Sequence, residues 1–538
     1  MGAMVLGKER RFLTLARYYC KSVMVKEGVV PVEERRSQPV TGLLLLGFIC
    51  LGILLRIYNF SKDGLWIDEY TTWWVIAGTD WGEVARRAFY FQGQSPFYYF
   101  IVKLSSDLFG VGIASLRLPS ILFGIGVLTL AYPVALRTFH DRHAALLALA
   151  AFAVNEPLIY FSQDARPYSL PLLCAMLSFF FYLSLLAKER LSSRIGYLLA
   201  TAGAYYANYL LCFVMVIHVI HLCVARGWSW LRSRAWRITF ALLAVLCLPG
   251  TVQMFAYFKR RPTWDDLEPT GIFGPVKLAV DFLNPWVFFP LVLVVVAIHI
   301  LTKERDKRHC SGLDLVLVWF LSPILFFGAI PPLFGITLLR KRYVLVAIPG
   351  AILFVAWVMA AVRKTFWQKW IPLLVFFSMT FAWTLLPAFR ANGTFSRRPE
   401  AGWNMAAAFL GKKAQDGDLV VYRTGFIEAD QLALPNPDPL LPSFVGWPLA
   451  AHLSSNHRFQ MVGLPYGKDP QTAPYISSVL KKATESRRIW IIGRGSLLTG
   501  FAEALLGTER YKVRRHIIFD GVLLMLLDQN SEGSQRSP

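Results

Sequence analysis

The feature that most constrains this chain is a series of apolar runs, most of them long enough to cross a lipid bilayer, separated by short basic segments. Of its 538 residues, 55% are hydrophobic and 17% are charged, which is too apolar for a water-soluble protein of this length. The chain is therefore predicted to be an α-helical polytopic membrane protein. Its formal net charge of +22 fits the excess of Lys and Arg that cytoplasmic loops carry, so nucleic acid is not an expected partner.

The basic residues also set the predicted orientation. Residues 1 to 39 are rich in Lys and Arg and lack the apolar run of a cleavable signal, so we expect them to stay in the cytoplasm. About eleven spans should follow within residues 40 to 389, the first of them ending near residue 57. Every cytoplasmic loop is then basic, provided that the short apolar segment 96 to 109 lies in the membrane interface and does not cross the bilayer. The first loop, residues 57 to 116, is consequently placed outside the cytoplasm.

The segment 195 to 225 leaves two alternatives. Two short spans that turn at residues 205 to 209 keep the loop charges consistent, whereas one long helix would reverse the sidedness of all that follows. We favour two spans.

The composition changes after residue 389. Residues 390 to 528 have the balance of a globular domain, and the tail, residues 529 to 538, has the composition of a disordered segment. The pattern predicts an amphipathic helix at 403 to 413, strands at 419 to 422, 488 to 492 and 521 to 527, and a helix near 498 to 506. We therefore expect a small C-terminal α/β domain, which the odd number of spans places outside the cytoplasm.

Asp68 and Glu69 form the first polar cluster at the predicted outer face. Adjacent acids in a loop are most often a solvated turn, but here Trp66, Tyr70 and Trp73 surround them. A partly buried carboxylate is a stronger base than an exposed one, so the pair is a candidate catalytic site.

The second cluster is SQDARPY at residues 162 to 168, at the outer end of the third span. It contains Asp164, Arg166 and Tyr168. For Arg166 alone, a snorkelling or acid-paired side chain is as good an interpretation as a ligand-binding one.

The third cluster is Arg340-Lys341-Arg342-Tyr343, which opens the tenth span. Three cations on the outer face run against the positive-inside rule, so an anion should offset them. We favour a lipid phosphate. The alternative is the set of nearby acids, namely Asp265, Asp266 and Glu268.

Three further features stay open. The loop 255 to 284 is as consistent with a plain surface loop as with a lid over the site. Gln94 precedes a helix start and is more readily structural than functional. His218 and His221 lie three residues apart in an apolar span, where packed histidines are expected rather than a metal pair.

In order and sidedness, these motifs resemble the membrane glycosyltransferases of GT-C fold. QSPFYY at residues 94 to 99 is similar to the family's HPPLYY, and QDARPY at 163 to 168 and RYVL at 342 to 345, followed after three further residues by Pro, fit the same pattern. More narrowly, residues 40 to 390 resemble the superfamily of protein O-mannosyltransferases and lipid A aminoarabinose transferases. The chain departs from it at Gln94-Ser95, in place of His-Pro, and at Asp164, where many members have Glu.

The resemblance implies an enzyme that transfers a sugar from a polyprenyl-phosphate donor to a protein, lipid or glycan acceptor at the outer membrane face. It implies that Asp68 is the catalytic carboxylate and that Arg166 and Arg342 contact the donor phosphate. The location implied is a bacterial inner membrane, with the N-terminus in the cytoplasm. The predicted site comprises Asp68, Glu69, Arg166, Arg342, Tyr343, Lys341, Gln94, Asp164 and Tyr168.

The residue types suit this chemistry by themselves. Displacing a lipid phosphate from an anomeric carbon needs a base for the acceptor's proton and cations for the departing phosphate. No second carboxylate is clearly placed as a nucleophile, which predicts a single displacement with inversion, with Glu69 orienting Asp68 or the acceptor. Phosphate held by arginines does not require a divalent metal, and the pattern does not exclude one.

The main rival function is a transporter or flippase for a lipid-linked or anionic substrate. Such carriers usually place ionisable groups at mid-membrane, whereas these spans are nearly free of charge at their centres. Sugar transfer is therefore the favoured interpretation.

Overall fold

The computed structural model describes residues 38–62, 64–78, 80–260, 273–302, 312–329, 339–362, 365–395, 402–453 and 459–530. Several predicted features lie outside the described residues: the basic segment up to residue 37, the middle of the loop 255 to 284 with its three acids, and the tail from residue 531. The chain divides into two compact units, residues 1–47 and 48–538. Of the first unit, the described part is the beginning of a helix.

Helices make up the described part of the chain up to residue 395. They are α1 (Gln38–Ile57), α2 (Ile67–Ile76), α3 (Trp81–Tyr90), α4 (Phe97–Phe109), α5 (Ile113–Phe139), α6 (Arg142–Val154), α7 (Glu156–Ser162), α8 (Ser169–Ala187), α9 (Leu191–Ala207), α10 (Phe213–Arg226), α11 (Arg234–Arg260), α12 (Gly274–Leu283), α13 (Pro285–Thr302), α14 (Leu313–Ala329), α15 (Ala347–Met359), α16 (Phe366–Thr380) and α17 (Leu386–Asn392). Short 3₁₀ turns follow α9 and α10, and a π-helical turn joins α16 to α17.

The described helices include five that are long and apolar enough to cross a membrane, or seven if each of two bent pairs is one span. Shorter apolar helices coincide with three more of the predicted spans, at α1, α14 and α15. The mainly helical character is confirmed, and by length and composition these helices fit a multi-pass membrane protein, while the count of about eleven spans stays a prediction.

Two breaks in the helices are important for the site. The pair α6 and α7 bends by 57° at Asn155, whose side chain accepts from the backbone N–H of Leu158 and so starts the new helix. The pair α12 and α13 bends by 69° at Asn284, which has a positive φ of 53°. Both bends place polar residues beside apolar helix walls.

A third break, at Asn208, separates α9 from the turn before α10, so the segment 195 to 225 is not one continuous helix.

The C-terminal part is a layered α/β unit, residues 402–530. Its elements are α18 (Trp403–Lys413), β1 (Leu419–Arg423), α19 (Leu441–Ala450), β2 (Gln460–Gly463), α20 (Ala473–Thr484), β3 (Arg488–Gly493), α21 (Ser496–Leu506), β4 (Tyr511–Phe519) and β5 (Val522–Gln529). The sheet order is β2-β1-β3-β5-β4, with β1 parallel to β2 and β3, and β5 antiparallel to β3 and β4. The helices and strands predicted from sequence correspond to α18, β1, β3, β5 and α21; β2, β4, α19 and α20 were not predicted.

The two faces of the sheet have different neighbours. Alternate side chains of a strand point to opposite faces. Leu419 and Ile491 point to the face that packs with α20 and α21, whereas Val420 and Trp490 belong to the same buried cluster as Trp74 of α2. The C-terminal α/β part, residues 402–530, is therefore packed directly on the first loop, which carries Asp68.

Candidate active site

The first turn of α2 carries both acids of the first polar cluster. Trp66 precedes the helix in an extended conformation, and its backbone N–H donates to Glu69 Oε2 at 3.2 Å. Acids are favoured at this end of a helix because its free N–H groups carry partial positive charge. Successive helical residues point about 100° apart, so the two neighbouring carboxylates face different surroundings.

Asp68 forms an ion pair with Arg342. Arg342 Nη1 donates to Asp68 Oδ2 at 2.9 Å, and the two side chains are 38% and 22% exposed. The contact joins the first loop to the segment before α15, across 274 residues of chain. Two residues that the sequence analysis assigned to one site are thus in direct contact, in a place that solvent and ligands can reach.

Glu69 is held in a different way, by a residue that the sequence analysis missed. Arg117, near the start of α5, donates through Nε to Glu69 Oε1 at 2.7 Å and through Nη2 to Oε2 at 2.5 Å. Both side chains are buried, with exposures of 0% and 1%. Arg117 also donates to the carbonyls of Phe60 and Gly64, at 2.7 and 3.0 Å. A charged pair this deep requires such full satisfaction, and it fixes both ends of the turn that leads into α2.

The segment 162 to 168 forms hydrogen bonds to the end of α1 and to the turn that leads into α2. Gln163 Nε2 donates to the carbonyl of Arg56 at 2.9 Å, at the end of α1. Asp164, which is buried, accepts from Trp66 Nε1 at 3.0 Å. The backbone N–H of Ala165 donates to Glu69 Oε1 at 2.9 Å. Gln163, Asp164 and Ala165 therefore form hydrogen bonds, in that order, with the end of α1, with Trp66 and with Glu69.

Arg166 points towards the start of α2 and the end of α3. Its Nη1 donates to Thr71 Oγ1 and to Gln92 Oε1, the latter at 3.1 Å. Gln92 is thus the glutamine in contact with this cluster. Gln94 contributes a backbone carbonyl, which accepts from Gln253 Nε2 at 3.5 Å, and a substrate role for its side chain stays a prediction.

A cavity of about 480 Å³ opens beside the Asp68–Arg342 pair. Its cationic wall is the third cluster, Arg340, Lys341 and Arg342. Its other lining residues are mainly aromatic or apolar: Trp66, Glu156, Pro157, Tyr160, Phe161, Tyr168, Phe282 and Ile348.

A second cavity of about 410 Å³ adjoins the first, and the two share Glu156, Pro157, Phe282 and Lys341. Its walls come from α6, α12, α13, α15 and α16, the apolar helices around the two bends. The two cavities therefore join a cationic wall to a second space that has both polar and apolar lining residues.

The cationic cluster is partly neutralised by acids other than those expected. Lys341 Nζ lies 3.7 Å from Asp281 Oδ2, and Arg342 pairs with Asp68. Tyr343 packs against Arg342, whose guanidinium carbon is 5.1 Å from the ring centroid. Asp265, Asp266 and Glu268 are outside the described residues.

Tyr168 contributes a neutral hydroxyl to the cavity wall. Burial raises the pKa of Tyr168, and the neighbouring Arg166 only partly opposes this effect. The phenol therefore stays protonated near neutral pH, available as a hydrogen-bond donor.

His218 and His221 are packed side chains, as expected. His218 Nδ1 is 3.0 Å from the Tyr197 hydroxyl, and His221 Nδ1 is 2.6 Å from that of Tyr182. Within the described ranges, no three His, Cys, Asp or Glu side chains are grouped so that they could hold a metal ion.

Comparison with known proteins agrees with this architecture. The family model of dolichyl-phosphate-mannose-protein mannosyltransferases matches residues 93–252. A search of curated protein sequences gives no match.

Solved structures resemble nearly the whole chain. ArnT from Cupriavidus metallidurans in the apo state has a TM-score of 0.54 at 15% identity, covering 91% of this chain and 98% of ArnT. The same protein bound to undecaprenyl phosphate gives 0.52 at 14% identity, covering 90% and 98%. The Archaeoglobus fulgidus oligosaccharyltransferase, in complex with Zn and sulfate, gives 0.50 at 12% identity, covering 87% and 71%. The GT-C fold and the resemblance to membrane glycosyltransferases are confirmed, and at these identities the structural likeness shows the fold alone.

Proposed function

We propose that this protein is a membrane glycosyltransferase that moves a sugar from a polyprenyl-phosphate donor to an acceptor at the outer face of the membrane. The observation that carries the proposal is the ion pair between Asp68 and Arg342, because Arg342 lines a cavity together with two further cations, Arg340 and Lys341, and this cavity adjoins a second one between apolar helices. A base, a phosphate site and a lipid groove are the three parts that such a reaction needs. The undecaprenyl phosphate bound to ArnT, a protein of the same fold, supports the donor class.

The donor phosphate would lie against Arg340, Lys341 and Arg342. Of these cavity-lining residues, Arg340 has a buried Nε with no hydrogen-bond partner among the described residues. Buried donors of this kind are rare unless a ligand or water satisfies them. Guanidinium groups bind phosphate through paired hydrogen bonds, so an oxyanion in this cavity would satisfy a donor that the described residues leave unpaired.

The polyprenyl chain would follow the adjoining cavity. The apolar side chains of its lining, such as Ile352, Val355 and Phe376, would contact the hydrocarbon, while Lys341 lies where the two cavities meet. The lipid thereby places its phosphate beside Asp68.

Asp68 would act as the general base in a single displacement with inversion. When Arg342 turns to the donor phosphate, Asp68 is released to accept the proton of the acceptor hydroxyl. The acceptor oxygen forms a bond to the anomeric carbon, the bond between that carbon and the phosphate oxygen breaks, and its electron pair leaves with the phosphate. Arg342 stabilises the charge that develops there.

Glu69 would support the reaction without taking part in it, because both of its oxygens are committed to Arg117 and to backbone N–H groups. Tyr168 would donate its hydroxyl to the phosphate. Three metal ligands are not assembled by the described residues, and no step here passes through a metal.

The test is Asp68→Asn, which keeps the shape and removes the base. The full chain, in isolated membranes that retain their own acceptors, would be given radiolabelled undecaprenyl-phosphate sugars, and release of undecaprenyl phosphate would be measured. We expect the variant to bind undecaprenyl phosphate and to lose turnover by about 10²- to 10⁴-fold, the usual contribution of a general base. Asp107→Asn, at an exposed acid of α4, is the matched control. Unchanged turnover in Asp68→Asn would exclude the assigned role.

A further inference from the structure

The second cavity is too small to hold the whole hydrocarbon of a long polyprenyl phosphate. The eleven isoprene units of undecaprenyl phosphate occupy on the order of 1,500 Å³, if each carbon is about as large as a water molecule. The cavity measures about 410 Å³. A chain of this length whose phosphate lies near Lys341 must therefore leave the cavity and continue outside it.

The exposed lining residues show where such a chain can leave. Of the described residues that line the second cavity, four are exposed, and they form two pairs in contact. One pair is charged: Lys341 Nζ lies 3.7 Å from Asp281 Oδ2. The other is apolar: the rings of Trp286 and Trp383 stack, with centroids 5.6 Å apart and an angle of 21° between their planes. Lys341 also lines the first cavity, so the charged pair lies on the phosphate side and the tryptophan pair is the apolar edge.

A hydrogen bond between two irregular helix segments positions the tryptophan pair. Asn284, at the 69° bend between α12 and α13, donates through Nδ2 to Thr384 Oγ1 at 2.9 Å. Thr384 belongs to the π-helical turn that joins α16 to α17, and such turns occur frequently at functional sites. Trp286 follows Asn284 by two residues, and Trp383 directly precedes Thr384. The bond therefore holds the two backbones together beside the stacked rings.

The rings themselves lie at the surface, with exposures of 66% for Trp286 and 54% for Trp383. Tryptophans are common at the membrane interface, where they anchor helices. An anchor needs no cavity behind it, whereas both of these rings line one. Opening this edge requires only that an exposed ring rotate about its side-chain torsions, without movement of α13 or α16.

We propose that Trp286 and Trp383 form a lateral opening through which the polyprenyl chain passes from the second cavity into the bilayer, and that the isoprene units outside the cavity pack against the two rings. This inference rests on the proposed function. The phosphate then lies near Lys341, the first isoprene units fill the cavity, and the following units contact the tryptophans. The pair thereby favours long polyprenyl phosphates over short isoprenoid phosphates, a preference that a phosphate site alone does not provide.

The test compares two lipids that share the phosphate and differ in chain length. The full chain in nanodiscs is titrated with undecaprenyl phosphate and with geranyl phosphate, whose two isoprene units occupy roughly 300 Å³ and so fit inside the cavity. Trp286→Ala and Trp383→Ala should each raise the Kd for undecaprenyl phosphate about tenfold, as expected for loss of a large apolar contact. The Kd for geranyl phosphate should not change. Trp286→Phe should keep most of the affinity for undecaprenyl phosphate, because it retains a flat apolar ring.

The matched control is Trp367→Ala, at an exposed tryptophan of α16 that is not among the lining residues of either cavity. This variant should bind both lipids as the wild type does. Each lipid is compared only with itself between variants, so its partition into the bilayer cancels, and retained binding of geranyl phosphate shows that a variant is folded.

The proposal is overturned if Trp286→Ala and Trp383→Ala bind undecaprenyl phosphate as the wild type does, which is the result expected of simple interface anchors. It is also overturned if both lipids lose affinity equally, because the rings then do not distinguish chain length. A wild type that binds neither lipid would count against the proposed function, and the lateral opening would be rejected with it.

Discussion

Replacing Glu69 by Gln should destabilise the protein strongly, because Glu69 neutralises the buried Arg117. The substitution keeps the size of the side chain and leaves an amide oxygen for the N–H of Ala165. It removes the negative charge that faces Arg117 at 2.7 and 2.5 Å, in a place where both side chains are essentially inaccessible to water. Breaking a buried ion pair on one side costs about 3–5 kcal/mol, since the remaining charge cannot be hydrated.

The assay measures thermal unfolding of the full chain in detergent, with size-exclusion chromatography as the readout. It compares Glu69→Gln, Arg117→Gln and the double variant with the wild type. Each single variant should unfold at a clearly lower temperature than the wild type. The free energy of unfolding lost in the double variant should be smaller than the summed losses of the two single variants, by about 1–3 kcal/mol. Asp107→Asn, which breaks the exposed pair with Lys103, should cost under about 1 kcal/mol. If Glu69→Gln unfolds like the wild type yet transfers no sugar, Glu69 takes part in the chemistry and its assignment as an anchor is wrong.

Three further outcomes are expected. Arg342→Gln should weaken undecaprenyl phosphate binding about tenfold or more in a titration, and an unchanged affinity would exclude its phosphate role. Burial lowers the pKa of His452 below its usual 6.5, so the unfolded chain binds more protons than the folded one just below that pH. Stability should therefore fall as the pH is lowered from about 6.5, and His452→Gln should flatten this dependence in thermal unfolding at pH 7.5 and 5.5. A cysteine at exposed position 512 (Lys512→Cys) should react with an impermeant maleimide in intact cells, and reaction only after lysis would reverse the proposed orientation.

The helical part of the fold was predictable because long apolar runs have few alternatives in a bilayer. The same reasoning found β1, β3 and β5, whose residues are mostly buried and apolar. It missed β4, an edge strand whose side chains are mostly exposed and include Lys512 and Arg515, and β2, which has four residues. Edge and very short strands carry little of the alternation that a sequence pattern can detect.

The contacts of the candidate site were predictable where its residues are unusual for their position. Asp68 is an acid within an aromatic loop. Arg342 belongs to a cationic cluster on the predicted outer face, where the positive-inside rule predicts few cations. Arg117 carried a weaker signal, a lone cation at the start of an apolar helix, whose partner is 48 residues away in sequence. Which side chains form a pair when they are distant in sequence is determined by tertiary packing, and a local sequence pattern does not contain this information.

In the proposed mechanism, the different contacts of the two adjacent acids would allow a base that is held in place by its backbone and has a releasable partner. The backbone of α2 is held by Glu69 to Arg117, by Tyr70 to His452 and by Trp74 to Ser443, contacts that reach two separate parts of the chain, α5 and the region of α19. The carboxylate of Asp68, one residue from the first of these anchors, is bound to Arg342, a partly exposed side chain that a phosphate can draw away. A base needs a backbone that does not move and a partner that does. Placing the anchor and the base about 100° apart on one helical turn satisfies both requirements at once.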